Sequence, residues 1–570
     1  MKRLIALAFL LATALPLSAQ APPVRVGLFW TQPQEQMELQ PAESVLRLRR
    51  CPTCPWTEIS GPVRLSAADN TLRLDGAAVG AGPLQVEGPH RVTAGAMAAF
   101  TLAGPTHIQA RQGRLRIVTG IALEDYTAQV LAGESSNFTS IESLKAMAVA
   151  VRTFAARNRG RHQAEGFDLC DTTHCQDLRL SSIPDRLRNA ASETEGELLW
   201  YEGRPAATFY HRDCGGHTEA AHEVWPGERF SYLRAQADPH CASSSARREW
   251  RANIRKTDLA AALASEGVQV PQPLQSVSVR KRTASGRTSE LMLTGAGSVP
   301  ARAATVRLAV GRQLGWTLLR SDLYEIRDAG DKVSFLGRGA GHGVGLCQAG
   351  AARMGEAGRR YREILSFYFP GTRVGVSAQA IAWRAAGSPR IELLTTQPRE
   401  DGSVVELAER LLSEAEARFG SKVRIRPQLR VYPSVEVYRD ATGQPGWMAA
   451  STRGRLVRMQ PVEALRRQGA LEETLRHEMM HVVVENHARR GLPLWFREGL
   501  VLLLSNGSRK DEELVDVDEV ERMLRAPRDR AELNRAQAAA RAHVAALVQR
   551  HGVAQVIQWV SRGIPADVRP

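Results

Sequence analysis

Three groups of residues in this chain could do chemistry. His477-Glu478-Met479-Met480-His481 is an H-E-x-x-H run inside LEETLRHEMMHVVVENHARR, a segment with helical periodicity. The i, i+4 spacing puts both imidazoles on one helix face, ready to hold one Zn2+ with Glu478 beside a metal-bound water. Seventeen residues after His481 comes Glu498, in LPLWFREGLVLLL. That stretch is predicted to be a second helix, and a turn at 491–493 lets it fold back antiparallel to the first. Glu134 follows Gly133 at the predicted end of a helix that starts near Ile121. The negative end of a helix holds a carboxyl protonated longer, which is what a general acid needs. Cys170-Asp-Thr-Thr-His174-Cys175, with His162 upstream, offers two thiolates and one or two imidazoles, enough to close a tetrahedral zinc site. A Cys170–Cys175 disulfide is the alternative in an oxidising compartment.

The elements that must position these groups exceed one core. At 570 residues the chain is too long for a single domain, and its 43% hydrophobic and 24% charged residues exclude a mostly disordered or polytopic membrane protein. Residues 1–21, MKRLIALAFLLATALPLSAQA, read as a signal peptide: two basic residues, a dozen apolar ones, a proline and small residues. No later stretch is long and apolar enough to span a bilayer, so no transmembrane segment is expected after its removal. Export to the periplasm or beyond argues against nucleic acid as a partner. It directs the formal charge of +15 towards an anionic polymer of the cell envelope instead.

Residues 22–119 alternate in short runs such as VRVGLFW, SVLRLRR and TLRLDG and are expected to be β-rich. Cys51-Pro-Thr-Cys54 has no second pair to complete a zinc knuckle, which favours a local disulfide or two thiols. A helix is expected after Thr139, capped with Glu142, with Leu144, Ala148, Val151 and Ala155 on its apolar face and Lys145 and Arg152 on a neighbouring stripe. Cys214 and Cys241 are candidates for a disulfide, which would leave Cys347 over. The glycine-rich run 337–350 has neither G-x-G-x-x-G nor Walker spacing and is read as a tight loop presenting His342. Residues 376–390, VSAQAIAWRAAGSPR, are read as a linker, and GRLVRMQPV from Gly454 as a strand that could pair with extended substrate. The stretch 521–550 is rich in Arg and Ala and is expected to be a solvated helix packing through Leu533, Ala538 and Val544.

Four ordered blocks resemble a family: LEDYTAQVLAGESSNFTSIESLKAMAVAVRTFAARN from Leu123, FDLCDTTHCQ from Phe167, FYHRDCGGHTEAAHEVW from Phe209, and GRGAGHGVGLCQAGAARMGEAGRRYREILSFYFPGT from Gly337. They resemble the SpoIID/LytB domain over residues 120–375. The resemblance implies an exported domain acting on peptidoglycan glycan strands as a lytic transglycosylase, with its catalytic Glu at Glu134. Lys145, Arg152, His217, His342 and Gln348 are the residues assigned to binding the glycan or its acidic groups. Met147 stands where family members often have Gln, which keeps a non-catalytic glycan-binding module in view.

The second resemblance covers residues 391–570 and is to minimal gluzincins of the peptidase MA-like type. It rests on HEMMH and on W-x-x-E-G-L around Glu498, and it implies a zinc peptidase with His477, His481 and Glu498 as ligands and Glu478 as general base. The expected fold is therefore multidomain α+β. A β-rich N-terminal region is followed by a mixed α/β SpoIID-like domain, then by a mostly helical gluzincin-type domain with a small sheet. The expected cofactor is Zn2+, one catalytic and one structural at Cys170, His174, Cys175 and His162. The expected partners are glycan strands and a peptide or protein substrate. The alternative is a metallopeptidase brought to the wall by a non-catalytic glycan-binding module.

Overall fold

The computed structural model describes residues 23–568 apart from 43–44, 52, 80–82, 96–97, 136–137, 242–248, 378, 380–381, 490, 507–514, 526 and 566–567. The expected signal peptide, 1–21, lies outside the described residues. Two compact units form, residues 23–382 and residues 383–570. Among the described residues, no helix is long and apolar enough to cross a membrane.

The first unit begins as two β-sheets lying face to face. One runs, in spatial order, 169–170, 24–28, 114–121, 106–111, 84–87, 46–49 and 57–59; the other runs 100–102, 90–93, 36–41, 63–68, 71–74 and 77–78. Strand β1, Val24–Leu28, is buried at every position but Arg25 and is paired along both edges. One neighbour, β2 (Leu169–Cys170), comes from beyond the β-rich region: Val26 pairs with Leu169 and Gly27 with Cys170. The β-rich region and the next one therefore share a sheet. Cys51 and Cys54 form a disulfide, while Cys214 and Cys241, expected as a disulfide, are buried thiols.

Helices α1 (Leu123–Glu134) and α2 (Ile141–Arg157) follow the sandwich. The cap of α2 lies one residue later than expected. Ser140 Oγ accepts the N–H of Glu142 at 3.2 Å, and Thr139 instead donates to Glu356 at 2.9 Å. Every residue of α2 from Ala146 to Ala155 is buried, which is why a single apolar stripe underdescribes it. A parallel pair, β3 (Tyr210–His211) with β4 (Leu346–Cys347), leads into α3 (Gln348–Glu356). Two three-stranded sheets and two helices between 250 and 337 close around a core of their own, with Leu259, Leu291, Val306 and Phe335 at its centre. The sequence pattern there alternates strands and helices without marking that separate core.

The second unit is a five-stranded sheet in the order β5 (Arg384–Gly387), β6 (Glu392–Thr395), β7 (Gln428–Val431), β9 (Leu456–Met459) and β8 (Ala450–Arg453). Helices α4 (Val404–Phe419), α5 (Leu471–His487), α6 (Leu494–Asn506) and α7 (Arg530–His551) build its helical part. Strand β5 lies inside the stretch expected as a linker. All four of its residues are exposed, so it is held by backbone pairing alone and shows no hydrophobic alternation. The strand expected to meet substrate, β9, is flanked on both edges by β7 and β8 and has no edge to offer; β8 is the edge strand beside it, and β5 forms the other edge. On α7 the buried stripe is Ala536, Ala539, Ala540, His543, Val544 and Leu547, a neighbouring set to the one expected.

Candidate functional site

Glu134 is the last residue of α1 and is half-buried. Its Oε1 accepts the backbone N–H of Asp177 at 3.0 Å, and its Oε2 accepts the side-chain amide of Gln348 at 3.4 Å. A methyl group on Gly133 would stand 2.1 Å from the carbonyl of Asp177, so glycine is what lets the 177 segment cross the helix end. Asp177 offers Glu134 its N–H, while its own carboxylate pairs with Arg179 at 3.0 Å. Behind the carboxyl lies a buried relay: the Tyr126 hydroxyl donates to Gln176 Oε1 at 3.0 Å, and Gln176 Nε2 donates to the Tyr210 oxygen at 3.0 Å. With that oxygen already accepting, the Tyr210 proton is available to Glu134. Burial pushes the Glu134 carboxyl above its usual range and the charge of Asp177 adds to that, while the hydrogen bonds from Asp177, Gln348 and Tyr210 pull it back without cancelling the rise.

Of the five residues expected to bind glycan, Gln348 is brought to Glu134. Arg152 is completely buried and serves the fold. Its guanidinium donates to Glu124 at 2.8 Å and to the carbonyls of Ala191 and Glu197. Glu124 lies in the first turn of α1 and Glu134 at its end, roughly 15 Å away along the axis. Lys145 pairs with Glu142 at 3.1 Å and Glu193 at 2.6 Å, so both cations are engaged by carboxylates. His217 Nδ1 meets the Thr218 carbonyl at 2.8 Å. His342 Nδ1 accepts the Val344 N–H at 3.1 Å, and its ring lies against Trp225 and His211. Burial holds His342 well below the usual histidine range, hence neutral. Met147 is fully buried in the core.

The donor atoms of His162, Cys170, His174 and Cys175 lie within 4.8 Å of one another. His162 Nε2 is 3.4 Å from Cys175 Sγ, and His174 Nδ1 is 3.6 Å from Cys170 Sγ. The other ring nitrogen of His162 faces Glu165 at 3.2 Å, the carboxylate–histidine arrangement that orients a metal-binding imidazole. Both cysteines are thiols rather than a disulfide. This donor set can hold a metal ion, and Cys175 leads directly into Gln176 and Asp177 beside Glu134.

In the second unit, α5 and α6 bring together His477, His481 and Glu498. The two Nε2 atoms are 3.1 Å apart, and Glu498 oxygens lie 3.5 Å from His477 and 3.1 Å from His481. A tetrahedral zinc with ligands at about 2.0–2.1 Å needs donors about 3.3 Å apart, so the triangle fits. Burial opposes charge on Glu498 and His481, but their mutual attraction outweighs it, holding Glu498 at about 2 and pushing His481 up to about 9; burial pushes His477 down. Glu478 is buried, and its Oε2 accepts the Thr452 hydroxyl at 2.6 Å from the edge strand β8. Gln537 on α7 donates to Glu498 at 2.8 Å. Sequence reading found the triad and Glu478 but missed Thr452 and Gln537, which lie on other elements with no motif linking them to the helix pair.

Comparison with known proteins bears on the first unit. Residues 111–201 match the family model SpoIID, described as Stage II sporulation protein. An uncharacterized protein of Brachyspira hyodysenteriae is 29% identical over 260 residues, 45% of this chain and 68% of its own length. Stage II sporulation protein D of Bacillus subtilis is 26% identical over 294 residues, 48% of this chain and 80% of its own. The amidase enhancer of the same organism is 26% identical over 283 residues, 43% of this chain, and the match spans only 39% of its own length. These likenesses support a SpoIID domain in the chain.

The pairing of Arg152 makes a prediction. Arg152→Ala leaves Glu124 partly buried without its partner and is expected to cost about 3–5 kcal/mol of stability in urea unfolding. Unchanged stability with weakened glycan binding would return Arg152 to the binding surface.

Proposed function

We propose that the chain is an exported peptidoglycan-remodelling enzyme that cleaves glycan strands by lytic transglycosylation at Glu134 and hydrolyses peptide bonds at the His477, His481 and Glu498 site. The observation that carries the first half is the setting of Glu134: one half-buried carboxyl, pushed towards its protonated form, whose acidic neighbour Asp177 has its own carboxylate on Arg179. Ordinary glycoside hydrolysis divides its work between two carboxyl groups. Transglycosylation needs one. Protonated Glu134 gives its proton to the glycosidic oxygen as the bond to the muramic acid breaks. The carboxylate then takes the proton of that sugar's 6-hydroxyl as its oxygen attacks the anomeric carbon, which yields a 1,6-anhydro end and restores the acid. Asp177 N–H, Gln348 and Tyr210 stabilise the carboxylate between those two transfers. The sporulation-protein and amidase-enhancer relatives support a role at the cell wall.

For the second half, zinc held by the triad supplies a polarised water and stabilises developing negative charge. Glu478 accepts a proton at its carboxylate, oriented by Thr452, and Gln537 fixes the Glu498 oxygen that faces it. Strand β8, which carries Thr452, is a sheet edge, the position from which an extended peptide is paired.

A second reading makes the first unit a glycan-binding module that targets or assists a hydrolase, favoured by the relative named an amidase enhancer. Met147 lends it little, since that departure is buried in the core.

Digestion of purified peptidoglycan followed by mass spectrometry separates the readings. Wild type is expected to release anhydro-muropeptides and Glu134→Gln to release none; their absence from both would leave the binding reading. The pH dependence has a definite sign. Because Glu134 must start protonated and burial raises its pKa, kcat is expected to fall as pH climbs through a value above the usual carboxylate range. Gln348→Leu, which removes a donor to the carboxylate, should move that falling limb to higher pH; a limb that stays or moves down contradicts the assignment. Metal analysis of the full chain is expected to show about one zinc fewer in His477→Ala than in wild type. Equal content would remove the peptidase proposal.

A further inference from the structure

Three thiols that the proposed chemistry does not use, Cys214, Cys241 and Cys347, meet the carboxyl of Asp238 in the core of the first unit. All four residues have zero exposure, and their donor atoms lie within 4.8 Å of one another. They come from three stretches of chain: the loop after β3, the turn 238–241 and the start of α3. We infer that these four residues form a structural zinc site, distinct from the His162 cluster and from the H-E-x-x-H triad.

Donor chemistry and geometry both support this. The donor set is complete for a closed tetrahedral site, and zinc with thiolate ligands at about 2.3 Å places its sulfurs roughly 3.8 Å apart, within the span seen here. Soft thiolates at a closed mononuclear site select zinc over the hard cations. Cys347 Sγ accepts two backbone N–H groups, from Cys214 at 3.2 Å and Gly350 at 3.4 Å, the second at the N-terminus of a helix; this is how a protein holds a thiolate. Asp238 is held in place from both oxygens: Oδ2 accepts the Tyr368 hydroxyl at 2.8 Å and Oδ1 accepts the Cys241 N–H at 2.9 Å. Gly350 is where helix, tyrosine and aspartate converge, since a methyl group there would lie 2.1 Å from the Tyr368 oxygen and 2.6 Å from Asp238 Oδ2.

Charge favours the same reading. Asp238 is fully buried among thiols, and beyond the hydrogen bonds it accepts from Tyr368, the Cys241 N–H and Cys214, a bound cation would offset the loss of water around its charge. Three thiolates and a carboxylate exceed the two charges of zinc; the buried guanidinium of Arg287, which donates to the Cys214 carbonyl at 2.6 Å, offsets part of the excess, and the buried carboxyl of Asp213, 3.1 Å from Cys241 Sγ, can take up the Cys241 proton or orient that thiol. A disulfide between any two of the thiols would use two donors and leave the third beside Asp238 with no cation. Zinc here would also fix Cys347 and hence its neighbour Gln348, the side chain that reaches Glu134.

Two measurements on the full chain test the site. In native wild type, Cys214, Cys241 and Cys347 should resist an alkylating reagent until a chelator is added, as read by peptide mass mapping. Labelling that a chelator does not change would overturn the inference, as would a Cys214–Cys241 disulfide in a non-reducing map. Chain purified with zinc as the added metal should carry about one zinc more than Cys214→Ser/Cys241→Ser. Equal zinc in the two would overturn it as well. If the double variant does not fold, the alkylation result on wild type decides alone.

Discussion

The carboxyl of Glu134 accepts hydrogen bonds from a backbone amide 43 residues along the chain and from a side-chain amide 214 residues along it. Holding those three points together, half out of water, shapes much of the first unit. Helix α1 must end where the 177 segment crosses it, which requires Gly133. Tyr210 must sit behind the carboxyl, and strand pairing of 210–211 with 346–347 brings it and Gln348 to the same place. The far end of α1 is fastened by the buried Arg152–Glu124 pair, so the helix that presents the acid is fixed at both ends.

Two of the three donors to Glu134, the Asp177 N–H and Gln348, each lie just after buried thiols. Cys175 is succeeded by Gln176 and Asp177, and Cys347 by Gln348. Loops that carry polar backbone into a half-buried site need strong local constraints to keep one geometry, and each cluster gathers donor atoms close enough to share one metal ion, which would supply them. The clusters thereby link sequence positions that no helix or strand periodicity connects. In the second unit the same logic runs through helices: α5 and α6 carry the triad, while α7 and the edge strand β8 supply Gln537 and Thr452 to orient it.

What the sequence made legible followed from spacing along single elements. The i, i+4 histidines, the helix return to Glu498 and the helix-end position of Glu134 all lie within one turn or one hairpin of their partners. The β-rich start showed through alternation, because its strands each bury one face. Contacts across the fold were hidden. Arg152 read as a binding cation because its charge is visible in sequence and its partner Glu124, 28 residues away, is not. Cys214 and Cys241 read as a disulfide because pairing is the simplest use of two cysteines in a chain expected to be exported; the approach of Asp238 and Cys347 becomes visible only when the chain is folded. Strand β5 was hidden for a different reason: an edge strand exposed on both faces leaves no hydrophobic pattern.

Taking the Glu134 carboxyl partly out of water raises its affinity for the proton that the proposed reaction uses. Carboxyl-13C NMR titration of the full chain labelled at glutamate, with the Glu134→Gln spectrum subtracted, reads that proton directly. The Glu134 resonance is expected to titrate above the ordinary glutamate range. A resonance titrating at or below that range would contradict it.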